Sequence, residues 1–177
     1  GPSGAGKTTL LDIISSLIIP NKGKILINDK EIDPKVFFWG KSIGYISQSS
    51  DLLNETIRNN IAIGNLPENI DEEKIKYAVK ASNLEKFINE LPNGINTVVG
   101  EKGSQISSGQ KQRINIARAF YNNSKVLIMD ESTNSLDSEN EKNIFSDIKK
   151  MSKNLIVLVV SHDKQLLSTY CDDIFVL

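Results

Sequence analysis

Apolar residues along the chain fall into two rhythms. Short runs rich in aliphatic and β-branched residues, "GKILIND" (23–29), "SIGYIS" (42–47), "KVLIMD" (125–130), "NLIVLVVS" (154–161) and "DIFVL" (173–177), have the length and make-up of strands. The first runs into Asn28-Asp29, a turn. Elsewhere the period is helical. Leu10, Leu11, Ile13, Ile14 and Leu17 form an apolar stripe behind the N-terminal Gly-rich stretch. Between Asn54 and Tyr121 "ETIRNNIAI", "DEEKIKYAVKAS", "LEKFINEL" and "SSGQKQRINIARAFY" follow one another with no convincing strand between them. Asp71 is placed to cap the second of these, and Pro92-Asn93-Gly94 breaks the chain after the third. The pattern predicts an α/β core with a mainly parallel sheet, interrupted by a helical insertion: core over 1–50, insertion over 51–122, core again over 123–177.

Composition narrows the function classes. The 177 residues, 39% of them apolar and 6% aromatic, suffice for one globular unit with a satellite subdomain. A formal net charge of −1 provides no general basic field, so a nucleic-acid partner is not expected. The one cysteine, Cys171, has no partner in the chain for a disulfide and reads as structural; metal spacings of the CxxC or Cys/His kind are absent. The longest apolar run, Leu155 to Val160, is far shorter than the roughly 18 residues a membrane span requires. The chain starts in a Gly-rich loop with no strand before it and stops within an apolar run, so both ends are expected to be truncations.

Three stretches carry candidate chemistry. In "GPSGAGKTT", two glycines, a Lys and a Thr stand at the spacing of a phosphate-binding loop, directly before the helical stripe. Such a coincidence arises at roughly 4 in 100,000 positions from ordinary residue usage. Gly4 and Gly6 would let backbone N–H groups converge on an anion, Lys7 would reach the outer phosphates, and the Thr8 hydroxyl could ligate Mg²⁺. The expected ATP contacts run through Gly1, Pro2, Ser3, Gly4, Ala5, Gly6, Lys7, Thr8 and Thr9. "KVLIMDES" sets Asp130 and Glu131 at the C-terminal end of an apolar strand, the edge where ligands sit in parallel sheets. Asp130 is placed to hold Mg²⁺, and Glu131 to orient or deprotonate a water. The third stretch, "ISSGQKQR", puts Ser107 to Gln110 at the start of a helix, a second site for an anion. That anion is not the phosphate of the chain's own loop, which already has a helix N-terminus.

The third stretch resembles the LSGGQ signature of the ATP-binding cassette ATPases. Further motifs of that family occur in its order: Gln48 in "GYISQSS" resembles the Q-loop, "NSLD" at 134–137 the D-loop, and His162 in "VVSHD" the H-loop. The resemblance implies a RecA-like P-loop fold whose N-terminal antiparallel β subdomain is missing here. It implies ATP and Mg²⁺ as ligands, the metal held by Thr8, Gln48 and Asp130. Glu131, His162 and Gln48 take catalytic roles, with His162 on the γ-phosphate. It also implies a second nucleotide-binding domain, same or different, whose ATP meets Ser107, Ser108, Gly109 and Gln110 in trans, with Asp137 at the junction. One departure stands out, Ser108, where the signature usually has its first glycine.

"LLNETIRNNIAIG" and "FINELPNGINTVVGEKGSQISSGQ" resemble exporter-type cassettes, in which TxVGExG touches the coupling helices of a membrane domain. The implied function is ATP hydrolysis powering export or flipping of a substrate. The transmembrane domain would lie upstream on the same polypeptide, and the site at the cytoplasmic face of the cell's inner membrane. Other readings are an importer subunit, a DNA-repair-like ATPase, and a non-hydrolysing regulatory half. Glu131 speaks against the last, and the absence of a long heptad repeat between Lys7 and Ser107 against the repair class.

Overall fold

The computed structural model describes residues 2, 4–33, 39, 42–47, 51–133, 136–151 and 155–177. Gly4 and Gly6 adopt left-handed backbone, φ 80° and 89°, which a residue without Cβ reaches freely, and Gly6 opens helix α1 (Lys7–Ile14). The helix ends sooner than its apolar stripe. The Ser15 hydroxyl donates to the Leu11 carbonyl at 2.8 Å, Ser16 turns left-handed, and the Leu17 N–H closes back on the Asp12 carbonyl at 2.8 Å. This is a Schellman stop built on serines. Leu11 is buried and Ile14 packs near it, but Leu10 is exposed and Leu17 lies beyond the helix, exposed as well. The helix thus buries Leu11 with Ile14 beside it, not the expected five-residue stripe.

Strands β1 (Ile25–Ile27) and β2 (Lys30–Ile32) pair antiparallel across Asn28 and Asp29, both at positive φ, the conformation that matches the twist of a two-residue hairpin. Strands β3 (Ile43–Ile46), β4 (Val126–Asp130) and β5 (Ile156–Val160) form a parallel sheet in the order β3-β4-β5. Every residue of the central β4 is buried, as its unbroken apolar run requires. The last apolar run does not form the expected strand. Residues 173–177 are irregular, and Phe175 and Val176 are 87% and 81% exposed. Strand propensity is realised only against a partner, and among the described residues β5 has β4 alone as a neighbour.

The central helices appear where the apolar period placed them: α2 (Ile57–Ile61), α3 (Glu72–Ala81), α4 (Glu85–Glu90) and α5 (Ser108–Tyr121). Asp71 caps α3, accepting from Glu73 and Lys74 N–H at 3.0 and 3.1 Å. Their apolar sides bury Ile57, Ile61, Ile75, Leu84 and Ile114 in one cluster. Inside it Asn60, fully buried, accepts from Leu53 N–H and from Arg118, and donates to the carbonyls of Leu53 and Thr56. Arg118 is held by these neutral oxygens, and burial lowers its pKa to about 10.

Helices α6 (Ser138–Met151) and α7 (Lys164–Tyr170), which the apolar pattern had not singled out, cover one face of the sheet. There Ile144, Phe145, Ile148 and Leu166 meet Leu127 and Met129, while α1 covers the opposite face at Val126 and Ile128. Helix α5 serves two cores: Ile114 and Ala117 face the helical cluster, Ile116 and Ala119 the sheet. Its approach to β3 is close enough that a Cβ on Gly44 would lie 2.4 Å from the Ala119 Cβ, so only glycine fits. No described helix is long and apolar enough to cross a membrane.

Candidate functional site

The C-terminal edge of the sheet gathers three distant segments. Gly4, Gly6, Lys7, Thr8 and Thr9 line a cavity of about 240 Å³ together with Glu131. The loop is tied to itself: Lys7 Nζ donates to the Pro2 carbonyl at 2.8 Å, and Ala5 N–H reaches the same oxygen at 3.3 Å. With the first turn of α1 opening beside it, this cradle offers backbone N–H groups and a cation to an anion.

Asp130 ends β4 on the face covered by α1, and its Oδ2 accepts the Thr8 hydroxyl at 2.9 Å across 122 positions of sequence. Asp130 is 9% exposed, so its charge needs donors. A second hydroxyl, that of Tyr45 on β3, stands 3.3 Å from the same oxygen. The motifs did not point to Tyr45. The parallel register could have found it, since Tyr45 lies opposite Ile128 and therefore shares a sheet face with Asp130, two residues on. Burial first, then the charges of Asp130 and Asp12, pushes the Tyr45 phenol well above the usual tyrosine range and keeps it a donor.

Glu131 continues the ladder for one rung, its N–H reaching the Val160 carbonyl at 3.1 Å, but its own φ is 48°. A left-handed non-glycine residue costs about 1–2 kcal/mol, a strain found at sites where side-chain aim matters. The turn brings Glu131 into the wall of the loop cavity and sets its Oε1 3.0 Å from His162 Nε2, which follows β5. Loop, Asp130, Glu131 and His162 thus converge. Thr8 and Asp130 present the hard oxygen donors that Mg²⁺ prefers, so the residues fit that ion.

The remaining candidates lie elsewhere. Ser107 caps α5 in a reciprocal box: Gln110 N–H donates to Ser107 Oγ at 3.3 Å, and Ser107 N–H donates to Gln110 Oε1 at 3.1 Å. Ser108 is the first residue of α5. Ser107, Gly109 and Gln110 line a second cavity of about 330 Å³, with Lys86, Arg113 and Asn140 among its other walls; it shares no lining residue with the first. Asp137 belongs to this side, accepting Asn140 N–H at 2.9 Å and Asn140 Nδ2 at 2.7 Å, bonds that hold its carboxyl below the usual range. Gly1, Ser3, Gln48 and Asn134 lie outside the described residues.

Comparison with known proteins agrees with this geometry. Residues 1–134 match the model of the ABC transporter family. Among curated proteins, the chain is 41% identical over 163 residues to an ATP-dependent lipid A-core flippase of Desulfotalea psychrophila, covering 92% of the chain and 28% of that protein. It is 42% identical to the leukotoxin export ATP-binding protein LtxB of Aggregatibacter actinomycetemcomitans, covering 92% and 23%, and 42% identical to ABC transporter B family member 13 of Arabidopsis thaliana, covering 92% and 13%. The chain therefore spans less than a third of the length of each. A solved structure of a bacterial Atm1-family ABC exporter with ATP bound superposes with a TM-score of 0.80 at 34% identity, covering 97% of this chain and 29% of that one. With its phosphate-binding loop, its strand-end carboxylates and these relatives in agreement, the chain belongs to the ABC transporter family, as an ATPase domain of the kind that exporters carry.

Proposed function

We propose that this domain binds ATP with Mg²⁺, hydrolyses it at Glu131, and with a second such domain powers export or flipping of a substrate across a membrane by a transmembrane domain on the same polypeptide. The observation that carries the reading is one cavity lined by Gly4, Gly6, Lys7, Thr8, Thr9 and Glu131, with Asp130 bonded to its Thr8 and His162 to its Glu131. The loop amides and the start of α1 hold the phosphates, and Lys7 exchanges the Pro2 carbonyl for their outer oxygens. Mg²⁺, held by Thr8 and Asp130, would draw charge from the phosphate oxygens. Glu131 accepts a proton from the water that attacks the γ-phosphate as the bond to ADP breaks, and His162 keeps the carboxylate oriented through Oε1.

Ser107, Ser108, Gly109 and Gln110 are assigned to the ATP of the partner domain, with Asp137 beside them. Support comes from the separation of the two cavities: the start of α5 faces a space of its own. Ser107 Oγ accepts from Gln110, and its own proton can still be donated outward. The segment around Val98 and Glu101, exposed beside α2, is the assigned contact to the transmembrane domain, and the working domain is assigned to the cytoplasmic face of a membrane. The test is Glu131→Gln in the full-length protein. ATP should still bind, and turnover should fall by about 10² to 10⁴. Turnover within about threefold of wild type would remove Glu131 from the mechanism.

A further inference from the structure

Asp130 accepts hydroxyls from two directions, and only one belongs to the phosphate-binding loop. Thr8 comes from α1; Tyr45 comes from the neighbouring strand. The parallel register sets Tyr45 opposite Ile128, and its ring packs at the edge of the cluster of Leu11, Val126 and Ile128. From there the phenol oxygen reaches diagonally along the strands to the carboxylate at the end of β4. A phenylalanine would fill the same apolar place and leave Asp130 with one hydroxyl fewer. The ring is fixed by packing and by a strand backbone, so its hydroxyl has little freedom to follow the carboxylate if that swings. The contact, at 3.3 Å, is longer than the Thr8 bond and closes further if Asp130 turns toward β3.

We propose that Tyr45 is a positioning residue, whose hydroxyl holds the Asp130 carboxylate where Oδ2 meets Thr8 and thereby raises the affinity of this pair for a divalent cation. The inference rests on the nucleotide-site reading above. Asp12 also faces the phenol and competes for its proton, which stays on the oxygen at working pH.

The experiment compares wild type and Tyr45→Phe as full-length proteins, titrating Mn²⁺ by electron paramagnetic resonance with a non-hydrolysable ATP analogue present. Nucleotide binding in excess chelator and thermal unfolding are measured alongside. Mn²⁺ binding should weaken by about three- to tenfold, the effect of losing one hydrogen bond of ordinary net strength, as suits a contact longer than the Thr8 bond, while metal-free nucleotide binding is unchanged. Unchanged Mn²⁺ affinity overturns the proposal, whether or not the melting temperature falls, because the hydroxyl would then serve packing or Asp12 alone. Asp12→Asn provides the second check: with the competing acceptor neutralised, Mn²⁺ affinity should hold or rise, and a fall as large as that of Tyr45→Phe would also overturn it. If wild type binds no Mn²⁺ with nucleotide, the nucleotide-site reading falls too, a result distinct from equal binding by both proteins.

Discussion

The two cavities described above differ in how their polar groups are bonded. The first joins the N-terminal loop to a strand end more than a hundred residues on, and side chains bond across its segments, Thr8 to Asp130 over 122 positions and Glu131 to His162 over 31. The second is lined by residues of several elements, Asn83, Lys86 and Asn140 among them, but the polar bonds of its Ser107 and Gln110 stay within the first turn of α5. A site that must hold a charged ligand and move a proton needs groups from several directions, and the first cavity has them. The second presents the capped N-terminus of α5 beside Lys86, Arg113 and Asn140. On the proposed function, the difference is that between a phosphate cradle and a surface that closes on a phosphate held by another domain.

Four perturbations break or sharpen that contrast. The largest effect belongs to Glu131→Gln, whose loss of turnover with retained ATP binding, read by a phosphate-release assay and a nucleotide titration, would mark the first cavity as the chemical one. Next is Lys7→Ala: removal of one charged donor to phosphate should weaken ATP binding by about 10- to 100-fold, measured by titration. Melting of the nucleotide-free protein should change little, because the Pro2 contact is exposed. Gly44→Ala follows. It presses a methyl into Ala119 where α5 meets the sheet and should cost about 1–3 kcal/mol in thermal unfolding, loosening the link between the regions without touching either cavity. Smallest in stability is Ser107→Ala, which removes the α5 cap at about 1 kcal/mol. Ser107→Asp keeps a capping acceptor and should restore the stability, while its negative charge keeps it from accepting a partner's phosphate, separating cap from contact.

What the chain disclosed in advance follows the range of the forces involved. Asp71 as a cap, the turn at Asn28-Asp29 and the helical period from Ile57 to Tyr121 depend on neighbours within a few positions, and the structure has them. The strand at 173–177 depends on a partner strand, and its apolar pattern carried no information about whether one was there. Helix α5 reads as weakly amphipathic because it faces two cores, a property visible only once β3 and the helical cluster are both in place. At the site, Lys7, Asp130, Glu131 and His162 stood out by spacing and by resemblance. Tyr45 did not, since its meaning lies in a parallel register and in a carboxylate 85 positions away. The end of α1 shows the same limit on a smaller scale: the Ser15 hydroxyl on the Leu11 carbonyl and the left-handed backbone of Ser16 end a helix whose apolar stripe runs on to Leu17.

The central claim, that the second cavity completes the first in another copy, is tested most directly by mixing defects. A full-length Lys7→Ala protein and a full-length Ser107→Arg protein are co-expressed with different affinity tags, both carrying Glu131→Gln so that bound ATP is not consumed. Pairs bearing both tags are isolated, and tightly retained ATP is counted. If the sites are shared, one site of the mixed pair contains both defects and the other contains none, so the pair retains one ATP while pairs of either single kind retain none. If each chain completed its own site, every site in the mixed pair would be defective. Absence of retained ATP from the mixed pair, with retention intact in pairs carrying Glu131→Gln alone, would contradict the account.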